Sequence, residues 1–195
     1  MTNHGDQYSV ARLADRAAIY DTLCRGCRAV DRGDYDAIAD IYHPDGIDHH
    51  GGAGGSRSPK DLAAWVKGRH GRIPFSKHMI GNVLIEFTGP DEAAVETYCL
   101  AFQRYPADAR ENLAALMGDL PVSDTNPTDL VIAARYADHF VRRNGEWKIL
   151  ERTIVYDSSM LIEAAGLEPF AISGLARGTR NMDDPVYRMR SALGL

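Results

Sequence analysis

The sequence predicts an α+β domain, on three observations. Residues 10–70 carry apolar side chains at helical spacing, residues 77–157 hold four strand-like segments in succession, and short turn sequences join most of those segments. Helices gathered ahead of an antiparallel sheet must bury their apolar stripes on one face of it. A length of 195 residues suits one core with room for a terminal extension. The organisation expected is one domain over residues 1–158 and an extension over 159–195 that covers either a pocket mouth or a subunit interface.

A long first helix runs from about Val10 to Asp31, with Leu13, Ala17, Tyr20, Cys24, Cys27 and Val30 on or near one stripe. Gly33 supplies a left-handed stop, and Asp34 can cap a short second helix through Tyr35, Ile38, Ile41 and Tyr42. A brief strand, Ile47 to His50, leads into the glycine-rich loop 51–55, which reads as mobile. Ser58, Pro59 and Asp61 give the cap, first-turn proline and first-turn acid of a third helix that ends near His70 and buries Leu62, Trp65 and Val66. Strands follow at Lys77 to Phe87, Ala94 to Tyr105, Leu130 to Arg142 and Trp147 to Asp157, with hairpin turns at Thr88 to Asp91 and Arg143 to Gly145. The long connection 106–129 holds a helical turn at Arg110 to Met117 and then a loop of the kind that is functional or disordered. A last short helix spans about Asp184 to Leu193.

Composition narrows the function. With 45% apolar and 25% charged residues and no apolar run long enough to span a bilayer, the chain reads as soluble. The polar start, Met1 to Val10, lacks a basic leader and an apolar stretch, so a cytosolic location is expected. Cys24, Cys27 and Cys99 are then free thiols. A net charge of −5 with scattered basic residues argues against nucleic acid and membrane surfaces and leaves a small molecule as the expected partner.

Three tempting motifs are discounted. Cys24-Arg-Gly-Cys27 lies inside the helical stripe and reads as packing. His43, Asp48, His49 and His50 do not read as a metal site, because adjacent strand residues point to opposite sides. Gly51 to Gly55 lacks the Lys-Ser/Thr ending of a phosphate loop. No metal or organic cofactor is expected.

Asp31 continues the line Tyr20, Cys24, Cys27 and so points inward at a helix C-terminus, where a carboxylate is disfavoured without a partner. That partner is a histidine, or Asp31 merely caps the turn or pairs with an arginine. His78 shares a strand face with Ile80, Asn82 and Leu84, a polar spot in a lined cavity. Paired with Asp31, His78 becomes a general base; alone, it is structural. The next strand presents Tyr98, Leu100, Phe102 and Arg104 together, which reads as pocket lining or as a sheet edge facing water. In the first case Arg104 holds a developing negative charge and Tyr98 donates a proton. His50 is the inward choice of the His49-His50 pair. Tyr136 shares a face with Asp138, as Arg152 does with Tyr156, and Tyr136 and Arg152 complete the pocket candidates with Tyr20.

The runs Arg12-Leu-Ala-Asp-Arg-Ala-Ala-Ile19, Ala29-Val-Asp-Arg-Gly-Asp-Tyr-Asp36, Lys77-His-Met-Ile-Gly-Asn82 and Val141-Arg-Arg-Asn-Gly-Glu-Trp-Lys-Ile149 resemble SnoaL-like proteins of the NTF2-like superfamily. The likeness covers about Val10 to Asp157 and implies a cone-shaped roll, a curved and mostly antiparallel sheet with about three N-terminal helices around a pocket. Superfamily members such as hexachlorocyclohexane dehydrochlorinase, scytalone dehydratase and bile acid dehydratase work without cofactor through an Asp-His pair, which the resemblance matches to Asp31 and His78. The chain is also similar to enzymes that split formaldehyde from lignin-derived diarylpropanes, which would make His50, His78, Tyr98 and Arg104 pocket residues. What the resemblance implies is a cofactor-independent lyase on a hydrophobic, aromatic small molecule, eliminating formaldehyde, water or halide, in a homo-oligomer of two or three copies. Rival readings are a ketosteroid-isomerase-type isomerase, a non-catalytic subunit like the small subunit of ring-hydroxylating dioxygenases, and a ligand-binding protein.

Overall fold

The computed structural model describes residues 7–51, 55–118, 122–164 and 174–195. Residues 52–54 of the glycine-rich loop, 119–121 of the long connection and 165–173 of the extension lie outside the described residues, so the mobility expected of the glycine loop falls there.

Helix α1 (Val10–Arg32) starts at Ser9, whose hydroxyl accepts from the Arg12 amide, and stops at Gly33 in the left-handed region, φ 67°. Helix α2 (Tyr35–Asp40) is followed at once by β1 (Tyr42–His49), so Tyr42 opens a strand instead of closing a helix. After β2 (Ser56–Arg57), α3 (Pro59–His70) is capped by Ser58 and begins on proline, as expected. The long strands are β3 (Phe75–Phe87), β4 (Glu92–Tyr105), β5 (Thr128–Arg143) and β6 (Glu146–Glu163). Helix α4 (Arg110–Met117) interrupts the long connection and α5 (Pro185–Ala192) ends the chain.

The sheet has the order β2-β1-β6-β5-β4-β3; β1 and β6 run parallel and every other pair is antiparallel. It curves without closing. Its concave face takes α1, α2 and α3, and the main core between them contains Ile19, Leu23, Ile38, Ile85, Phe140, Trp147 and Ile149. A smaller cluster of Ile73, Tyr105, Leu113 and Leu130 lies under α4. Asn144 (φ 53°) and Gly145 (φ 82°) make the tight β5–β6 turn that an Asn-Gly pair favours.

The helical stripe is rotated from the one the sequence suggests. The buried line of α1 runs through Arg12, Asp15, Ile19, Leu23, Gly26 and Ala29, whereas Leu13 and Tyr20 are 54% and 46% exposed. The line begins with a charged pair because Asp15 accepts from Arg12, Arg142 and the Trp147 indole, a network that a hydrophobic pattern reads as a polar face.

The end of the chain returns to the joint between helices. Arg180 donates to the carbonyls of Val30, Asp31, His70 and Ile73, covering the ends of α1 and α3 with one guanidinium. Tyr187 donates to Asp34 and Asp184 pairs with Arg32. A Cβ at Gly33 would meet the Arg180 carbonyl oxygen at 2.8 Å. Gly33→Ala is therefore expected to cost about 1–2 kcal/mol or more in urea unfolding. Gly89→Ala, with nothing within 4 Å, serves as the control and should stay within about 0.5 kcal/mol of the parent.

Candidate active site

Between the helices and the concave face lies a cavity with an inner lobe of 50 Å³ and an outer lobe of 420 Å³; His50, Arg69, His78 and Tyr136 line both. The outer volume suits a substituted aromatic molecule. The sheet makes this room by carrying short side chains: Cys99, Ala101 and Ala134 line the outer lobe.

Asp31 and His78 meet at its wall. The His78 ring Nδ1 is 2.6 Å from Asp31 Oδ1, the His78 amide donates to Oδ2 at 2.8 Å, and the Ser76 hydroxyl donates to Oδ1 at 3.2 Å. A carboxylate only 7% exposed at a helix C-terminus needs such donors. An ionised Asp31 makes Nδ1 the protonated nitrogen, and no described residue bonds Nε2.

A second pair brings its histidine to the same cavity. Asp48, wholly buried on β1, accepts from the Tyr42 hydroxyl at 2.7 Å and lies 2.9 Å from His50 Nδ1. Burial raises the Asp48 pKa, but the bonds from His50 and Tyr42 and the Arg152 charge prevail and hold it below its ordinary value. Burial depresses the His50 pKa more than Asp48 lifts it, so the ring leans to the neutral form. His50 packs against Trp65, with centroids 5.4 Å apart.

Of the other expected residues, Tyr136 and Arg152 line the cavity. Burial raises the Tyr136 pKa well above the usual phenol value, keeping the hydroxyl protonated, and it lies 3.2 Å from Cys99 Sγ. Arg152 is bound to Asp138 through two contacts of 2.7 Å and stacks over the Tyr136 ring at 4.2 Å, so its charge is already matched. Cys27, read from sequence as packing, lines the inner lobe; burial pushes its pKa up to about 12, which keeps it a thiol.

Five expected residues are not in the cavity. Tyr98, Phe102 and Arg104 lie on the outer face of β4, because the inward set is Thr97, Cys99, Ala101, Gln103 and Tyr105. Both faces of this strand carry apolar residues, so alternation alone could not choose between them. Arg104 makes two 2.6 Å bonds to Asp129 on β5. Asn82 is turned outward by a bulge: Ile80 pairs with Cys99 but Val83 with Thr97, so β3 has one residue more than β4 there. Tyr20 points away from the sheet for the reason given above.

Sequence reasoning missed Asp48, Arg69 and His70. His70 is 1% exposed and accepts from Arg69 Nη2 at 2.6 Å, while Nδ1 is buried without a partner. The signal available was the pair Arg69-His70 at the end of an otherwise amphipathic helix.

A model of the SnoaL-like domain matches residues 11–153, and the chain belongs to that family, with an NTF2-like fold. An uncharacterised protein of Mycobacterium tuberculosis is 26% identical over 146 residues, covering 74% of this chain and 86% of the relative. Among solved structures, a type 2 hexachlorocyclohexane dehydrochlorinase is 22% identical with a TM-score of 0.64, covering 84% of this chain and 99% of its own. A protein of Novosphingobium aromaticivorans provisionally named scytalone dehydratase is 17% identical with a TM-score of 0.60, covering 89% and 96%. At these identities the likeness is one of fold.

The buried histidines give the site a pH signature. Burial lowers the pKa of His50, and that of His70 well below the ordinary 6.5, so the unfolded chain binds more protons than the folded one as pH falls below 6.5. Their stabilising contribution is complete above that pH and is lost toward the folded pKa, with a slope approaching about 1.4 kcal/mol per pH unit for one such group. Urea unfolding at pH 7.5 and 5.5 is expected to show the loss, and His70→Gln to reduce it; an equal loss in both proteins would contradict the assignment.

Proposed function

We propose that the protein is a cofactor-independent lyase acting on a hydrophobic, aromatic small molecule. The observation that carries this reading is the 2.6 Å contact between His78 Nδ1 and a buried Asp31, with the histidine lining the cavity. Asp31 fixes the tautomer and stabilises the imidazolium, which makes Nε2 the base.

In an elimination, His78 Nε2 takes a proton from carbon, the electron pair forms the double bond, and the leaving group departs from the adjacent carbon as halide or, once protonated, as water. For release of formaldehyde the proton comes from a hydroxymethyl O–H, the C–C bond breaks as the C=O of formaldehyde forms, and its electron pair stays on the remaining carbon, which takes the proton back from the His78 imidazolium or expels an adjacent leaving group. His50 is the proposed proton carrier to or from the leaving group, since Asp48 holds its Nδ1 as Asp31 holds that of His78. The Tyr136 hydroxyl, which donates to Cys99 Sγ, is the group proposed to turn its proton to charge developing on oxygen. Arg104, tied to Asp129 outside the cavity, has no part in this reading.

Self-association belongs to the same proposal. The outer sheet face leaves Met79, Leu84, Tyr98 and Leu100 about half exposed, an apolar surface suited to a second copy.

The test is turnover of a panel of aromatic alcohols, diarylpropanes and halides by metal-stripped wild type, His78→Ala and Asp31→Asn, followed by product mass. Expected is loss of water, halide or formaldehyde by the wild type, with His78→Ala slower by roughly 10²–10⁴-fold and Asp31→Asn also impaired. Products of unchanged mass would indicate an isomerase. Equal rates for wild type and His78→Ala, or no turnover by either, would overturn the base assignment.

A further inference from the structure

The cavity has an electrostatic character that the proton-transfer reading does not use. Among the described residues its lining includes Arg69, Arg152, His50, His70 and His78, and no aspartate or glutamate. The three nearby carboxylates are turned into bonds behind that lining: Asp31 to His78 and Ser76, Asp48 to Tyr42 and His50, Asp138 to Arg152. Three of the five basic groups, His50, His78 and Arg152, have a carboxylate partner in these arrangements, and His70 is the neutral imidazole that accepts from Arg69. The fifth is Arg69.

Arg69 is 9% exposed, yet no described carboxylate pairs with it. Its single hydrogen bond among the described residues runs from Nη2 to His70 Nε2 at 2.6 Å; Nε is buried without a partner and Nη1 has none. A neutral imidazole does not neutralise a guanidinium, and an unpaired buried charge is costly. The fold nevertheless holds Arg69 firmly. Its guanidinium lies 4.6 Å from the centroid of Trp65, whose ring also carries Arg57 at 4.3 Å. His70 is held in turn: Gln103 Nε2 lies 3.3 Å from its Nε2, and the Tyr105 hydroxyl donates to Gln103 Oε1 at 2.7 Å. A cation so positioned lines both lobes with no counter-ion among the described residues.

We infer that the substrate carries a carboxylate, which docks on Arg69 while its apolar skeleton lies along Ala101, Ile132, Ala134 and Ile154 toward His78. A guanidinium matches a planar carboxylate, and a single unmatched arginine suits a monoanion better than a phosphate dianion. The inference rests on the reading of this cavity as the substrate pocket and narrows the substrate to an aryl-substituted acid.

The probes are 3-phenylpropionate and its amide, which differ in charge and hardly in shape, titrated by calorimetry into wild type, Arg69→Met, Arg69→Lys and His78→Ala. Expected is saturable binding of the acid to wild type at least about tenfold tighter than the amide. Arg69→Met should bring the two together, Arg69→Lys should keep part of the difference, and His78→Ala should keep all of it. Equal affinity of acid and amide for the wild type, absence of saturable acid binding, or an unchanged preference in a folded Arg69→Met would each overturn the inference. The wild-type comparison decides even if a variant does not fold. Acid-selective binding without any turnover would uphold the anion site and count against the lyase, whereas turnover of neutral substrates with no acid preference would do the reverse.

Discussion

The arrangement depends on where the Asp31 carboxylate sits. It closes the last turn of α1, where the helix carbonyls already concentrate negative charge, and it is buried. Such a group is tolerable only if donors surround it, and β3 supplies three: the Ser76 hydroxyl, the His78 amide and the His78 ring. These bonds fix α1 to the edge strand in one register and the imidazole in one orientation. Arg180 offsets the carbonyl charge of the same helix end, so the terminal segment supports the geometry of the pair through the helix backbone. A single electrostatic difficulty thus joins the first helix, the third strand and the end of the chain.

The cavity follows from a second constraint, that a concave sheet packed by helices leaves space only where its inward side chains are short. Cys99, Ala101 and Ala134 provide that space, while Phe140, Trp147 and Ile149 fill the other end of the same face with core. The acids around the space are consumed by bonds running away from it, and the bases remain at its surface. Stability and chemistry are therefore served by the same contacts. Each aspartate that would otherwise be an uncompensated buried charge becomes the group that orients a histidine or matches an arginine.

Much of this was legible in the sequence, for reasons that can be named. Caps and stops at Ser58, Pro59, Gly33 and Asn144-Gly145 depend on one or two residues each, and they mark the elements where they occur. Asp31 could be directed inward from Cys27 by one helical step of four, and His78 from Ile80 by one strand step of two; neither step crosses an irregularity. Asn82 lies two residues further along the same strand, but the bulge intervenes and turns it out. Tyr98, Phe102 and Arg104 were misplaced for a different reason. β4 is apolar on both faces, and the inward face is the one with the smaller side chains, a preference that only the presence of a cavity explains. The buried end of α1 was hidden because Arg12 and Asp15 satisfy one another and so occupy positions where a pattern search demands hydrophobes.

Fold and function separate at this point. The SnoaL-like scaffold accounts for the cone, the sheet order and the depth of the cavity, but scaffolds of this kind host many activities. What distinguishes one member from another is the set of charges its lining leaves unmatched. Here Arg152 and Arg69 both line the inner lobe, with opposite outcomes. The first is matched by Asp138 and contributes structure; the second has Trp65 beneath it and a neutral His70 beside it, and retains its charge for whatever enters. Had the fold required only a filled core, a hydrophobic residue at position 69 would have avoided the cost of burying that charge. The arginine is held there by a chain of bonds reaching back through His70 and Gln103 to Tyr105, and that investment of polar contacts is best accounted for by a partner with negative charge.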